Sequence, residues 1–358
     1  MQKSIYITLI SAILINISHG QDGIYPNLYD SELLKPLVID YKPDSLLTYA
    51  DARDSMYRNV YLQNGSVECY YTGHTIELSD NVDPSAYLYN NEDPIGITAE
   101  HIYPQSKGAG AGFARRDMHH LIPAIWQVNE ARSNYPFAEI DDTDTDRWFY
   151  KTDILRDIPI DDESLYSEVL NGGFGNIGRF EPRESVKGDI ARAVFYFYTM
   201  YKEAADTEDS EYFDLMKDQL YEWHLNDPTD SLEIIRNELK AVYQQGKVNP
   251  FILDCSLVGR TYFQDSPLDC SSSISTSTID PISSNIFIYP NPTKDKIYIS
   301  TSNNESYKVE ILDPLGRRLT SLSTSNEIDV SNLNRGIYFL LITKSDNSSS
   351  IYKVYKIE

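Results

Sequence analysis

The hydrophobic period of this chain changes once, across a polar stretch, SSSISTSTIDPISSN, at residues 271–285. Before it, apolar residues recur at helical spacing over long segments. After it, apolar and polar residues alternate in short runs separated by Asn, Asp, Gly and Ser. A helical face and an alternating strand face cannot share one pattern. The chain therefore reads as two folded units, 21–270 and 286–358, and the stretch between them, which has no amphipathic period, reads as a linker. The fold class expected is α+β: a mainly helical first unit followed by a small all-β sandwich.

The helical segments are KGDIARAVFYFYTMYKEA (187–204), EYFDLMKDQLYEW (211–223) and DPTDSLEIIRNELKAVYQQG (227–246), the last with Pro228 near its start and Gly246 as its stop. SVECYYTGHTIEL (66–78) and the approach to Glu100 read as strands. Beyond the linker, KIYIST, YKVEILD, NEIDVSNL, GIYFLLITK and SIYKVYKI are strands of a sandwich.

The chain opens with MQKSIYITLISAILINISHG, with Lys3 before an apolar run and Ser18 and Gly20 at its end. This is the pattern of a secretory signal peptide over residues 1–20. No later stretch has the roughly 18 apolar residues of a membrane-spanning helix, so a secreted or cell-surface protein is expected. The formal charge is −23. Residues 286–358 hold 9 Lys/Arg and 8 Asp/Glu, so the excess sits on the first unit, in loops such as EIDDTDTD (139–146) and DTEDSE (206–211). Such a balance argues against polyanion binding by the whole surface and leaves room for a local site that recruits a cation. The cysteines, Cys69, Cys255 and Cys270, form neither a CxxC nor an even set. A Cys255–Cys270 bridge is expected, with Cys69 as a free thiol or the alternative partner.

Chemistry-bearing residues concentrate in EHIYPQSKGAGAGFARRDMHHLIPAIWQVNEARSNYPF (100–137), read as strand, Gly/Ala loop and a helix from about Ile122 to Ser133. Glu100 and His101 adjoin at a strand end, where neighbours face opposite ways. A neutral imidazole can take a proton from water. The carboxylate of Glu100 and the amide oxygen of Asn129 are hard ligands suited to Mg²⁺ or Ca²⁺. Arginine would stabilise charge growing on phosphate oxygens. Together these describe phosphodiester hydrolysis. Each residue alone also has an ordinary structural reading as a surface pair, a packed core residue or a helix cap, and no HExxH spacing supports a zinc hydrolase.

The motifs EHIYPQS, DMHHLIPA and VNEARSNYPF, followed by FEPRESVKGDIARAVFYFY (180–198) and WHLNDPTDSLEIIRNELKAVYQQGKVNPFILD (223–254), resemble the secreted bacterial endonuclease I family, a branch of the ββα-metal (His-Me finger) nucleases. The resemblance covers roughly residues 45 to 255 and implies a nuclease unit built around a ββα-metal core. It implies His101 as general base, and Glu100 and Asn129 as ligands of one Mg²⁺, with Ca²⁺ or Mn²⁺ as substitutes. It implies a largely sequence-nonspecific cut of DNA, with RNA as an alternative, leaving 5′-phosphate ends. The family's Asp-Leu-His-Asn stands here as Asp117, Met118, His119 and His120. His119 is expected to support the centre, and the role of His120 is open. A longer, disulfide-tied insert that carries an arginine in some relatives is the short SKGAGAGFARR here, so Arg116 or Arg115 is expected to substitute, with Arg132 as a further candidate. Lys187, Asp189 and Arg192 are expected to line the substrate groove, with packing and helix capping as an equal alternative, and Lys107, Arg115, Arg116, Arg132, Lys187 and Arg192 to gather on one face.

IYPNPTKDKIYIS (288–300), VEILDPLGRRL (309–319) and LNRGIYFLLI (333–342) resemble the C-terminal sorting domain of the type IX secretion system, which implies the export machinery as a partner. The rival readings are a catalytically silent surface binding protein, a ribonuclease-selective enzyme and a zinc hydrolase.

Overall fold

The computed structural model describes residues 23–63, 65–90, 95–160, 162–173 and 177–263 of the first unit. In the second it describes residues 287–289, 293–300, 307–313, 318–324, 327–334, 336–343 and 349–356. The signal peptide expected at 1–20, the linker expected at 271–285 and Cys270 lie outside the described residues. Cys255 is disulfide-bonded, and Cys69 is a buried free thiol.

The first unit is mixed α/β. Its centre is the helix Lys187–Asp209, in which every residue from Ile190 to Tyr201 is buried, as the aromatic-rich sequence requires of a buried helix. Phe195 packs against Phe213, Phe251 and Tyr262, and Phe197 stacks on Tyr103 at 4.3 Å between ring centroids. Burying side chains of this size contributes about 1.5–3 kcal/mol each. The helix bends at Tyr201 (φ −127°, ψ 29°), where its sequence turns polar and acidic. Around it lie helices Asp30–Tyr41, Lys217–Asn226, Ser231–Val242 and Ser256–Tyr262. The helix expected at 227–246 runs over Ser231–Val242 because the Asp230 side chain accepts the Glu233 N–H at 2.7 Å and caps it.

Three small sheets complete the unit. Leu62–Gln63, Ser66–Glu68 and Thr75–Glu77 form one, Ile97–His101 and Leu121–Ile125 the second. Arg147–Tyr150, Asp153–Leu155, Ser167–Leu170 and Arg179–Glu181 form the third. The single strand expected over 66–78 is thus a hairpin, closed where Gly73 takes a φ of 70°. The helix expected from Ile122 is also corrected: Leu121–Ile125 is a strand paired with Ile97–His101, and only Trp126–Arg132 is helical. All five residues of Leu121–Ile125 are buried, and a fully buried strand shows no alternation by which sequence could distinguish it from a helix turn.

The second unit has a three-stranded sheet (Phe287–Tyr289, Lys296–Ser300, Glu327–Asp329) and a four-stranded antiparallel sheet (Tyr307–Leu312, Arg318–Thr324, Gly336–Thr343, Ser349–Lys356). Ile297, Ile299 and Ile328 from the first sheet and Val309, Ile311, Leu340 and Ile342 from the second share one hydrophobic cluster. No helix among the described residues is long and apolar enough to cross a membrane.

Candidate functional site

The hairpin Ile97–His101/Leu121–Ile125 pairs Glu100 with Ile122 and His101 with Leu121, and the helix Trp126–Arg132 follows the second strand without a break. Gly96 makes this possible on the other side: a Cβ there would lie 2.0 Å from the Tyr89 carbonyl oxygen, so helix Pro84–Asn90 packs directly on the strand start. Thr98 and Glu100, two apart, share one face of the strand. Asn129 and Arg132, three apart, share one face of the helix. The two faces meet in two rungs. Asn129 Nδ2 donates to Thr98 Oγ1 at 3.0 Å, and Arg132 Nε lies 3.5 Å from Glu100 Oε1.

Glu100 is buried, and its Oε1 also accepts the Tyr71 hydroxyl at 3.2 Å. Burial pushes its carboxyl up to about 7, opposed by Arg132 and Tyr71. Arg132 Nε, itself buried, has no hydrogen-bond partner, so the pair is incompletely satisfied. The Asn129 amide donates through its nitrogen to Thr98, which leaves its oxygen as the acceptor end of the group. A carboxylate oxygen of Glu100 and the amide oxygen of Asn129 are hard donors, of the chemistry that suits one hard divalent cation.

His101 faces the other way. Its Nε2 lies 2.8 Å from the Arg115 carbonyl oxygen. A carbonyl can only accept, so Nε2 carries the proton and Nδ1 keeps the lone pair. Burial, reinforced by Arg115, Arg132 and Arg53, lowers the imidazole to about 4, so His101 is neutral at physiological pH. Its ring lies 5.5 Å from that of Tyr49 and 5.4 Å from that of His120.

The turn Asp117–His120 walls the site. Asp117 is fully buried and accepts from Tyr196, Tyr201, Gln244 and the His119 N–H. His119, expected to support the centre, instead gives its Nε2–H to the Lys247 carbonyl at 2.9 Å and packs edge-on against Tyr196. His120 takes the place behind His101, holding the Ala114 carbonyl at 2.6 Å and resting on Phe197. Their side chains do not converge on one point. Among the described residues, the one group of three His, Cys, Asp or Glu ligand atoms close enough for a metal is Glu139, Glu181 and Glu184, and it encloses the Lys187 ammonium.

The cations expected on one face are dispersed. Lys187 is buried among Glu139, Glu181 and Glu184. Arg192 is fully buried, giving Nε and Nη2 to Glu233 at 2.7 and 2.6 Å. Lys107 pairs with Asp209 at 2.7 Å, and Arg132 is committed to Glu100 and to the Ile102 carbonyl at 2.6 Å. Lys187, Arg192 and Arg132 are buried, and Lys107 is half-buried. Arg116 rests on the Phe113 ring and reaches the Leu47 carbonyl at 3.4 Å. Arg115, exposed, stands over Tyr49 at 4.5 Å beside His101.

Four participants escaped the sequence. Thr98 was open to discovery, since strand alternation puts it on the face of Glu100. Tyr71, Tyr49 and Arg53 come from segments 29 to 52 residues away with no motif to announce them.

His224, the other buried histidine, is a control on these assignments. Its Nε2–H is held by the Cys255 carbonyl at 2.9 Å, its Nδ1 is buried without a partner, and burial lowers it to about 4. The unfolded chain, with an ordinary imidazole, takes the proton first as pH falls. The His224 contribution is therefore complete above about pH 6.5 and lost as pH drops toward 4. Denaturant titrations should show the stability gap between wild type and His224→Gln narrowing by up to about 2 kcal/mol from pH 7 to pH 5.

A neutral imidazole with a fixed lone pair, set against a carboxylate and an amide on one hairpin-and-helix unit, has the groups that hydrolysis of an anionic ester needs. Residues 35–255 match the model of the endonuclease I family, more than half of the chain. The chain belongs to that family. Residues 287–356 match the secretion-system C-terminal sorting domain, so the protein carries a type IX export tail directing it to the cell surface or outside. It is similar to the extracellular ribonuclease of Bacillus amyloliquefaciens, 31% identical over 168 residues (43% of this chain, 49% of the relative). It is also similar to that of Bacillus subtilis, 32% identical over 172 residues (45% and 50%). The chain spans about half the length of the curated relatives it matches.

Proposed function

We propose that the protein is an extracellular endonuclease that hydrolyses phosphodiester bonds of DNA, and of RNA, with little regard to sequence. The hairpin and helix around Glu100 serve as a ββα-metal core. The observation that carries this reading is the hydrogen bond from His101 Nε2 to the Arg115 carbonyl, which leaves Nδ1 as a base in a neutral ring. Water gives its proton to Nδ1 as its oxygen bonds to phosphorus. The bond from phosphorus to the 3′ oxygen breaks, and solvent protonates that oxygen, leaving 5′-phosphate and 3′-hydroxyl ends. Arg115, exposed beside His101, offsets charge on the phosphate oxygens. Mg²⁺, or Ca²⁺ or Mn²⁺ in its place, would be held by Glu100 and Asn129 and would stabilise charge on the phosphate and the departing oxygen. Tyr71 and Arg132 orient Glu100, and Thr98 orients Asn129.

The Bacillus relatives are named ribonucleases, which supports RNA beside DNA as substrate. The whole protein should nick supercoiled plasmid, single-stranded DNA and RNA with Mg²⁺, and EDTA should remove the activity on all three. Asn129→Ala should require more Mg²⁺ for half-maximal rate and cut about 10–100-fold more slowly at fixed Mg²⁺. Cleavage that persists in EDTA, or that only Zn²⁺ restores, contradicts the proposal.

A further inference from the structure

A chain with 54 acidic against 31 basic residues has a carboxylate for most of its cations. Arg183, Arg192, Arg260, Lys187 and Lys107 each sit within 3 Å of one. Arg53 and Arg115 do not: among the described residues neither makes an ion pair. Both guanidinium groups lie over the ring of Tyr49, at 4.9 and 4.5 Å from its centroid, and that ring lies 5.5 Å from His101. Two like charges against one ring, with Arg53 Nε buried and unpartnered, leave the region short of negative charge. An anion bound there would supply it.

Beside them is a cavity of about 350 Å³. Its walls are helix Tyr49–Ser55, with Tyr49 and Arg53, and helix Pro84–Asn90, with Tyr89; Thr98 and Ala99 of the site strand form its floor. Asp83, just before helix Pro84–Asn90, also lines it and accepts the Ala86 N–H at 2.8 Å. The cavity is thus lined by a cation and a ring, Arg53 and Tyr49, from the helix beside His101, and by a carboxylate and a ring, Asp83 and Tyr89, from the neighbouring segment. A ligand that fits has an anionic end and a flat uncharged end.

We propose that this cavity is the subsite for the nucleotide next to the cleaved linkage in a single strand, with its phosphate on Arg53 and its unstacked base against Tyr89. The assignment rests on the nuclease reading above. It requires a single strand because a base within a duplex is stacked on both faces and cannot enter a side pocket without being flipped out. Aromatic faces accept any base, so the subsite adds affinity without sequence preference. Tyr89 is 52% exposed, so its truncation leaves the core intact.

The test uses the whole protein, with four substrates: a labelled single-stranded oligonucleotide, the same strand abasic beside the cleaved linkage, its duplex, and a small chromogenic phosphodiester without a base. Tyr89→Ala should raise KM on the single strand roughly tenfold, with kcat nearly unchanged. It should leave the abasic strand, the duplex and the chromogenic diester as in wild type. Arg53→Met should lower kcat/KM on the single strand and on its abasic form alike. A Tyr89→Ala protein with wild-type KM on the single strand, or with equal losses on single strand and duplex, overturns the subsite while the nuclease reading stands. A wild type that cuts none of the four overturns the nuclease reading and the subsite with it.

Discussion

Replacing His101 by alanine is expected to reduce phosphodiester cleavage by about 10²–10⁴-fold, the usual worth of a positioned general base, with kcat carrying nearly all of the loss. No other imidazole can stand in. His119 and His120 each hold a backbone carbonyl through Nε2, and His120 Nδ1 is sealed in the interior. The loss should be chemical rather than structural, because Asp117, His120 and Tyr49 keep their own partners around the vacated position. Two controls distinguish these outcomes. Far-ultraviolet circular dichroism should be unchanged, and added imidazole should restore part of the rate by occupying the space of the missing ring. His119→Ala offers the contrast: it should cost stability through the lost Lys247 bond and Tyr196 contact, with a smaller effect on kcat. If His101→Ala cuts at the wild-type rate, the base is misassigned.

The second large effect is on stability. Arg192→Met is expected to destabilise the first unit by about 3–5 kcal/mol, read as a fall in Tm of roughly 6–20 °C. Arg192 gives two bonds to Glu233, one to Asp189 and one to the Asp227 carbonyl, all from a fully buried side chain. Removing it strands the Glu233 carboxylate in the interior, and the stranded charge costs more than the lost contacts. Arg192→Met with Glu233→Leu should recover much of the loss, since a well-packed apolar pair often equals a buried ion pair. Were Arg192 a nucleic-acid contact, the single variant would instead flatten the salt dependence of substrate binding and leave Tm almost unchanged.

That contrast shows what the sequence could and could not convey. The aromatic helix beginning at Lys187 was legible from its unbroken run of aromatic and aliphatic residues from Ala193 to Tyr198. Glu100 and His101 were legible as a pair because strand alternation sends neighbours to opposite faces, which the structure reproduces. The strand Leu121–Ile125 was not, since five consecutive buried residues carry no periodic signal. The cations failed for a different reason. Lys187, Arg192 and Arg132 look identical in sequence to surface phosphate contacts, and only long-range pairing reveals them as counter-ions. Glu233 lies 41 residues from Arg192, and Glu100 32 residues from Arg132. Arg53 was passed over because nothing in YADARDS distinguishes it from any exposed helical arginine. What marks it is that, among the described residues, no carboxylate pairs with it in a chain of charge −23.

The central claim is that Glu100 and Asn129 hold one divalent cation while His101, on the opposite face of the strand, makes the nucleophile. A calorimetric titration of Mn²⁺ into the whole wild-type protein, Glu100→Gln and His101→Ala tests it most directly. The account predicts one tight Mn²⁺ for wild type and His101→Ala, with about 10–100-fold weaker binding or none in Glu100→Gln. Equal Mn²⁺ binding by Glu100→Gln and wild type, or loss of the ion in His101→Ala, would contradict it.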